Sequence, residues 1–314
     1  MVSQPIDALL VLRRPRPIAV RRIRPIDVAF RGLALLCAVF AIGAAFFLLA
    51  FLVHAGLRGI LHAGPQLLTG VRWRPEAGVF GGVPLIVGTV TSALGAILLG
   101  ALPATLAAVW VTELAPERAQ KLFRRAMEIA TALPSVVYGW LALEHLVPEV
   151  DGFAKLFLAM RADVGGEGLF TSAILLAVMI APTVSLLSLD ALSRVPKAMR
   201  EASAALGATK LQTAFRVIVP HAKSGLVIAT FFGFARAAGE TMAVQMVIGG
   251  ARQLPETVFS PTTTISTQIV MDMQNARPNT PESDVLYAMA LVLLLVSSAV
   301  VLTTRGFSRR GAAG

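Results

Sequence analysis

Charge is scarce in this chain, cysteine is nearly absent, and the signatures of several chemistries are missing. Charged residues make up 15% of 314 positions and apolar ones 56%. A water-soluble domain of that length carries far more charge, so a soluble enzyme or carrier is excluded. The single cysteine, Cys37, excludes intramolecular disulfides, and its apolar setting gives it a packing role. No G-x-x-x-x-G-K-[ST] run occurs, so the chain has no P-loop with which to hydrolyse nucleotide itself. The four histidines, His54, His62, His145 and His221, are scattered without ligand spacing, so no metal is expected. The apolar runs hold no plausible nucleophile, which sets aside a membrane-embedded enzyme, and no cofactor is expected.

What the chain has instead is long apolar runs. A helix needs about 20 apolar residues to cross a bilayer, and six runs qualify, at about 32–54, 84–112, 126–147, 169–190, 224–249 and 285–304. They are continuous and not alternating, which excludes a β-barrel. The fold expected is therefore all-α and polytopic, with six transmembrane helices. Pro103 and Pro134 fall inside spans, where they are expected to kink helices. Glycine and alanine abound in the spans and permit close helix approach.

Ahead of the first span, residues 1–31 hold Arg13, Arg14, Arg16, Arg21, Arg22, Arg24 and Arg31 among several prolines. That mix builds no core and reads as a basic cytoplasmic arm touching anionic lipid, a better reading than nucleic-acid binding. A cleaved signal peptide is not expected, because the apolar run that follows is too long. The remaining units expected are the first helix with its outer segment (32–83), a transmembrane domain (84–305) and a cytoplasmic tail (306–314). With the amino terminus inside, the inner segments carry 20 basic residues and the outer ones 7, Arg236 being the last of the 28. This asymmetry puts both termini in the cytoplasm. The outer segments 148–168 and 250–284 carry Glu149, Asp151, Asp163, Glu167, Glu256, Asp272, Glu282 and Asp284. They read equally well as a landing surface for an extracytoplasmic protein and as ordinary solvated loops.

The chain is organised around Arg200–Gly249. Glu201-Ala-Ser-Ala-Ala-Leu-Gly207 and Ala208–Pro220 form two short helical patterns broken at Gly207. Ala202, Ala205 and Leu206 share one face, and Leu211, Phe215 and Ile218 another. Gly207 suits a helix C′ position of positive φ, and Pro220 a helix end. Such an amphipathic hairpin, at about 196–220, is built to dock on another protein.

Glu-Ala-x-x-x-x-Gly followed by an aliphatic-x-aliphatic-Pro ending resembles the cytoplasmic coupling loop of ABC importer permeases. Ser203 stands where alanine is usual. Arg236-Ala-Ala-Gly-Glu240-Thr-Met-Ala-Val244, Leu133-Pro-Ser-Val-Val-Tyr-Gly139 and Glu113-Leu-Ala-Pro116 resemble the phosphate-specific, Pst-type permeases, and the long outer segment before the last span favours the PstC-type subunit. The resemblance covers roughly residues 80–305. It implies a type I ABC importer permease fold and import of inorganic phosphate across the inner membrane. The implied partners are a PstA-type permease completing the pore, an ATP-binding subunit pair, and a periplasmic or lipid-anchored phosphate-binding protein. Glu201, Ala202 and Gly207 would meet the ATPase.

Within the spans, Arg236 and Glu240 sit nearest mid-membrane, where charge is costly and usually faces a pathway. Arg236 is the only basic residue well inside a span, and its planar fork matches two oxyanion oxygens. Glu240, one turn on, would partly neutralise it, and Thr241 offers a hydroxyl to substrate or to its own backbone. A structural ion pair is the plainer alternative. Asp190, Glu128 and Glu144 lie toward span ends and fit paired or solvated roles. Rivals are a permease for molybdate or sulfate, and an ion-gradient-driven secondary transporter. The docking hairpin and the lack of inverted repeats count against the second.

Overall fold

In a bilayer every backbone N–H and C=O needs a partner within the protein, so continuous apolar runs become helices. The computed structural model describes residues 25–158 and 165–311; most of the basic arm, Asp163 and the last three tail residues lie outside them. In chain order come α1 (Pro25–Ala63), α2 (Gln66–Thr69), a small hairpin of β1 (Trp73–Arg74) with β2 (Val79–Phe80), and α3 (Val83–Glu113). There follow α4 (Glu117–Ala132), α5 (135–158), α6 (Leu169–Ser193) and α7 (Lys197–Ala205). Last are α8 (Lys210–Gly239), α9 (Met242–Gln245), α10 (Ile265–Met273) and α11 (Pro281–Gly311).

Among the described residues five helices can each cross a membrane alone, and a sixth crossing exists only if α4 and α5 are counted together across a 90° bend. The third span, expected as one helix at 126–147, is thus a broken one. Its break falls at Leu133-Pro134, both extended with ψ near +135°. Proline biases the residue before it away from the helical region, so Pro134 ends α4 where a kink was expected.

Three other prolines are absorbed without a break. α3, α5 and α8 each contain a five-residue π turn, Ile97–Ala101, Ala142–Leu146 and Ala214–Ile218. Each precedes a proline: Pro103, Pro148 and Pro220. In each, the residue just before the proline (Leu102, Val147, Val219) donates its N–H to the carbonyl five residues back. Proline's ring clashes with the carbonyl four residues earlier, and the extra residue of a π turn moves that carbonyl aside. Pro220 therefore does not end a helix, contrary to expectation, and α8 runs unbroken from Lys210.

The chain divides into two compact units at Ala50. In the first, every described α1 side chain from Val28 to Ala50 is exposed, a surface suited to lipid. The second is built around α6, two-thirds buried and the most enclosed of the spans. Leu176, Ile180 and Val184 of α6 pack against Ala93, Ala96, Ala101 and Ala104 of α3 and against Ala229, Ala237 and Ala238 of α8. Alanines let the backbones approach. At Gly100 a Cβ would sit 2.5 Å from the Ala177 carbonyl oxygen, so α3 and α6 touch backbone to backbone there.

At the far end from the α7–α8 hairpin, the β1–β2 hairpin is pinned to α10. The Trp73 indole N–H donates to Asp272 Oδ2 at 2.7 Å, and Arg252 donates to Oδ1 at 2.6 Å. Asp284, also buried, meets Arg58 at 3.3 Å. Asp272→Ala strands two donors in a closed setting. Arg252 is about one-third exposed, so a loss of about 2–3 kcal/mol is expected, below that for a fully buried pair. Thermal unfolding of the detergent-purified permease checks this; Asp272→Asn should lose less, and an unshifted Asp272→Ala melt would refute the pinning role.

Candidate functional site

Arg236 occupies the last turn of α8, with α6 beside it. Its Nη1 donates to Thr183 Oγ1 at 3.3 Å, while its Nε is buried without a partner. Thr183 follows Pro182 on α6; nothing local in the sequence pointed to it. α8 then stops. Gly239 is its last residue, and Glu240 is extended at φ −70°, ψ 132°. The fifth span, expected to reach 249, ends ten residues early, and the one-turn stacking of Arg236 on Glu240 does not form. No ion pair joins the two among the described residues.

The break is held by polar groups from the segment 262–268. Ser266 Oγ donates to the Glu240 carbonyl at 2.9 Å, satisfying a backbone group that the helix end leaves open. The Thr262 N–H donates to Ile248 C=O at 3.0 Å, and Gly249 and Thr262 form a parallel bridge. Thr241 Oγ1 turns back to the Gly239 carbonyl at 3.3 Å, the backbone alternative foreseen for this hydroxyl. The result is a broken helix whose end carries an arginine with unused donors.

The second candidate region is the hairpin of α7 and α8. Gly207 adopts φ +79° between Leu206 and Ala208, and a Cβ there would meet nothing within 4 Å. Thr209 caps the start of α8 in a capping box with Gln212. Ser203 and Thr213, both buried, share a 2.8 Å hydrogen bond that closes the hairpin. Glu201, Ala202, Ala205 and Leu206 are all exposed, Leu206 at 89%, and so are Leu211 and Phe215. Ile218 departs from the face expected of it and is fully buried, because the π turn inserts a residue between it and Leu211.

An ion pair missed in the sequence anchors this hairpin. Arg200 donates to Glu113 at the end of α3 (2.9 Å) and to the carbonyls of Val195 and Leu192 (2.7 and 3.1 Å). Its partner lies 87 positions away, beyond any local pattern. Asp190 likewise pairs with Arg124 at 2.8 Å, a structural role as expected. Of the outer acids, Asp272 and Asp284 are buried in internal pairs and Asp151 bonds Lys155. Glu149 and Glu256 remain exposed.

Residues 96–310 match the family described as binding-protein-dependent transport system inner membrane component. The chain belongs to that family. It is a multi-pass inner-membrane permease. A Bacillus subtilis chain named "Probable ABC transporter permease protein YqgH" is 36% identical over 94% of this chain and 95% of its own length. The phosphate transport system permease protein PstC of Mesorhizobium japonicum is 30% identical over 95% of both, and that of Pasteurella multocida 33% over 74% and 76%. Among solved structures, a bacterial alginate ABC transporter in complex with an alginate-bound periplasmic protein shares the fold, with TM-score 0.63 at 16% identity over 92% of this chain and 98% of that one. The type I ABC importer permease fold is thereby established.

Gly207 generates a prediction for the hairpin. A side chain there costs about 1–2 kcal/mol for its left-handed backbone, while its Cβ meets nothing within 4 Å among the described residues. Gly207→Asp is therefore expected to leave membrane abundance near normal and to lower substrate uptake about tenfold or more. Uptake and abundance measured in the same cells check it; normal uptake would refute the docking role expected of Gly207.

Proposed function

We propose that this chain is the PstC-type permease of an importer that carries inorganic phosphate across the cytoplasmic membrane, with ATP hydrolysed by a separate subunit pair. The observation that carries this reading is Arg236, an arginine at the end of a broken helix, half-buried, with one nitrogen on Thr183 and a buried Nε without a partner. The relatives named PstC support phosphate as the anion.

An oxyanion entering a low-dielectric bundle must replace its water with donors or positive charge. Arg236 supplies both: Thr183 holds one arm of its fork, and its Nε is buried without a partner among the described residues. Glu240 lies just past the helix break, its carboxylate without a partner among the described residues. It opposes lasting anion binding and so favours release. Thr241 contributes through the backbone turn that it closes.

A PstA-type permease completes the pore in this scheme, and a phosphate-binding protein delivers substrate at the outer face, where Glu149 and Glu256 are exposed. The hairpin, with Glu201, Ala202 and Gly207, docks on the ATPase. Both termini then lie in the cytoplasm, as the basic-residue asymmetry requires.

Two experiments test the reading. In the reconstituted complex, Arg236→Gln removes charge-assisted bonds worth about 1.5–3 kcal/mol, so phosphate uptake should fall roughly tenfold to a hundredfold. Arg236→Lys, which keeps charge and loses the fork, should fall less, and Thr183→Val should mainly raise KM while Thr183→Ser restores it. Normal uptake by Arg236→Gln at normal abundance makes Arg236 structural. For orientation, a Cys37→Ser chain carrying Arg277→Cys should react with an impermeant thiol reagent in spheroplasts with intact inner membranes, and one carrying Arg118→Cys should not. The opposite labelling inverts the topology.

A further inference from the structure

Where the hairpin joins the span, a cleft of about 430 Å³ opens beside the π turn of α8. We propose that it binds a phosphate group, either of an anionic phospholipid headgroup or of free phosphate. Arg216, His221, Lys223 and Ser224 line it, with Met199 of α7 and Val217 as apolar walls. Among the described residues no carboxylate lines the cleft.

The chemistry is uniform. A guanidinium fork, an ammonium, an imidazole and a hydroxyl are the donor set that tetrahedral phosphate oxygens accept. All four polar residues come from one stretch of α8, from its π turn into the regular helix beyond. Arg216, His221 and Lys223 have no hydrogen-bond or ion-pair partner among the described residues. Arg200 and Arg124, at the same end of the molecule, are each closed by a carboxylate, Glu113 and Asp190. This cleft therefore concentrates positive charge that the chain itself leaves unneutralised. That it faces the inner leaflet rests on the orientation proposed above; its donor set does not.

The site differs from the Arg236 region, which lies at the opposite end of α8, so the two are separable by experiment. The test is acetylation of Lys223 in the full-length detergent-purified chain, read by mass spectrometry, with the exposed Lys197 and Lys210 as references. Phosphatidylglycerol micelles or inorganic phosphate should protect Lys223 selectively over phosphatidylcholine or chloride at matched ionic strength. Protection by phosphatidylglycerol alone identifies a headgroup site, and protection by phosphate alone a site for the soluble anion. Arg216→Gln should raise the half-protecting concentration about fivefold, whereas Arg236→Gln should leave it unchanged. If Arg216→Gln does not fold, phosphatidylglycerol adducts on Lys223→Gln counted by native mass spectrometry read the same site, with fewer adducts expected than on the parent chain. Protection of Lys197 and Lys210 equal to that of Lys223, or protection by neither probe, overturns the proposal, as does, where phosphatidylglycerol protects, an undiminished adduct count on Lys223→Gln.

Discussion

An unpaired backbone group in hydrocarbon costs several kcal/mol, and this one constraint accounts for the irregular places in the fold as well as the regular ones. The prolines at 103, 148 and 220 remove N–H groups from helices that must nonetheless continue. In each case the chain inserts a π turn whose last bond reaches five residues back. Where α8 stops at Gly239, the open carbonyl of Glu240 is met by Ser266, and the returning strand-like segment is met by Thr262. The buried threonines and serine at 262–267 are thus the polar lining that permits a broken helix at membrane depth.

Charge obeys the same economy. At the hairpin end, Arg200 and Arg124 are tied to Glu113 and Asp190; at the other end, Asp272 and Asp284 are tied to Arg252 and Arg58. These pairs sit where helices terminate, and each joins segments distant in sequence. Arg236 breaks the pattern, having a hydroxyl as its one partner and no carboxylate among the described residues. An arginine so placed is costly as structure alone and is reasonable where a transient anion completes it.

The helical bundle was legible because bilayer thickness sets span length, and α3 and α6 fall within a few residues of the runs expected. The hairpin was legible too: Gly207 announced its own left-handed turn. Less visible were the features that depend on contacts between distant segments. An apolar run does not reveal that Pro134 terminates a helix while Pro220 is absorbed into one, since both cost the same bond and differ only in whether a π turn forms upstream. Arg236 and Glu240 carry i, i+4 spacing, yet that spacing has meaning only while the helix lasts, and it ends between them. Thr183 and Ser266, which hold this site, are ordinary hydroxyls in sequence and acquire a role only through packing.

The anchoring of the hairpin follows from these placements. Arg200 grips the ends of α3 and α6 through Glu113, Leu192 and Val195, and the Ser203–Thr213 bond ties α7 to the root of α8. α8 then continues, through its π turn and past Pro220, to Arg236. A force on the exposed Leu206, Leu211 and Phe215 thus meets all three central helices at once, with no flexible linker between hairpin and span. The hydrogen-bond ladder of α8 changes register once along this path, at the π turn of 214–218. Contact continuity alone is not coupling; what it fixes is which helices a push on the hairpin reaches first.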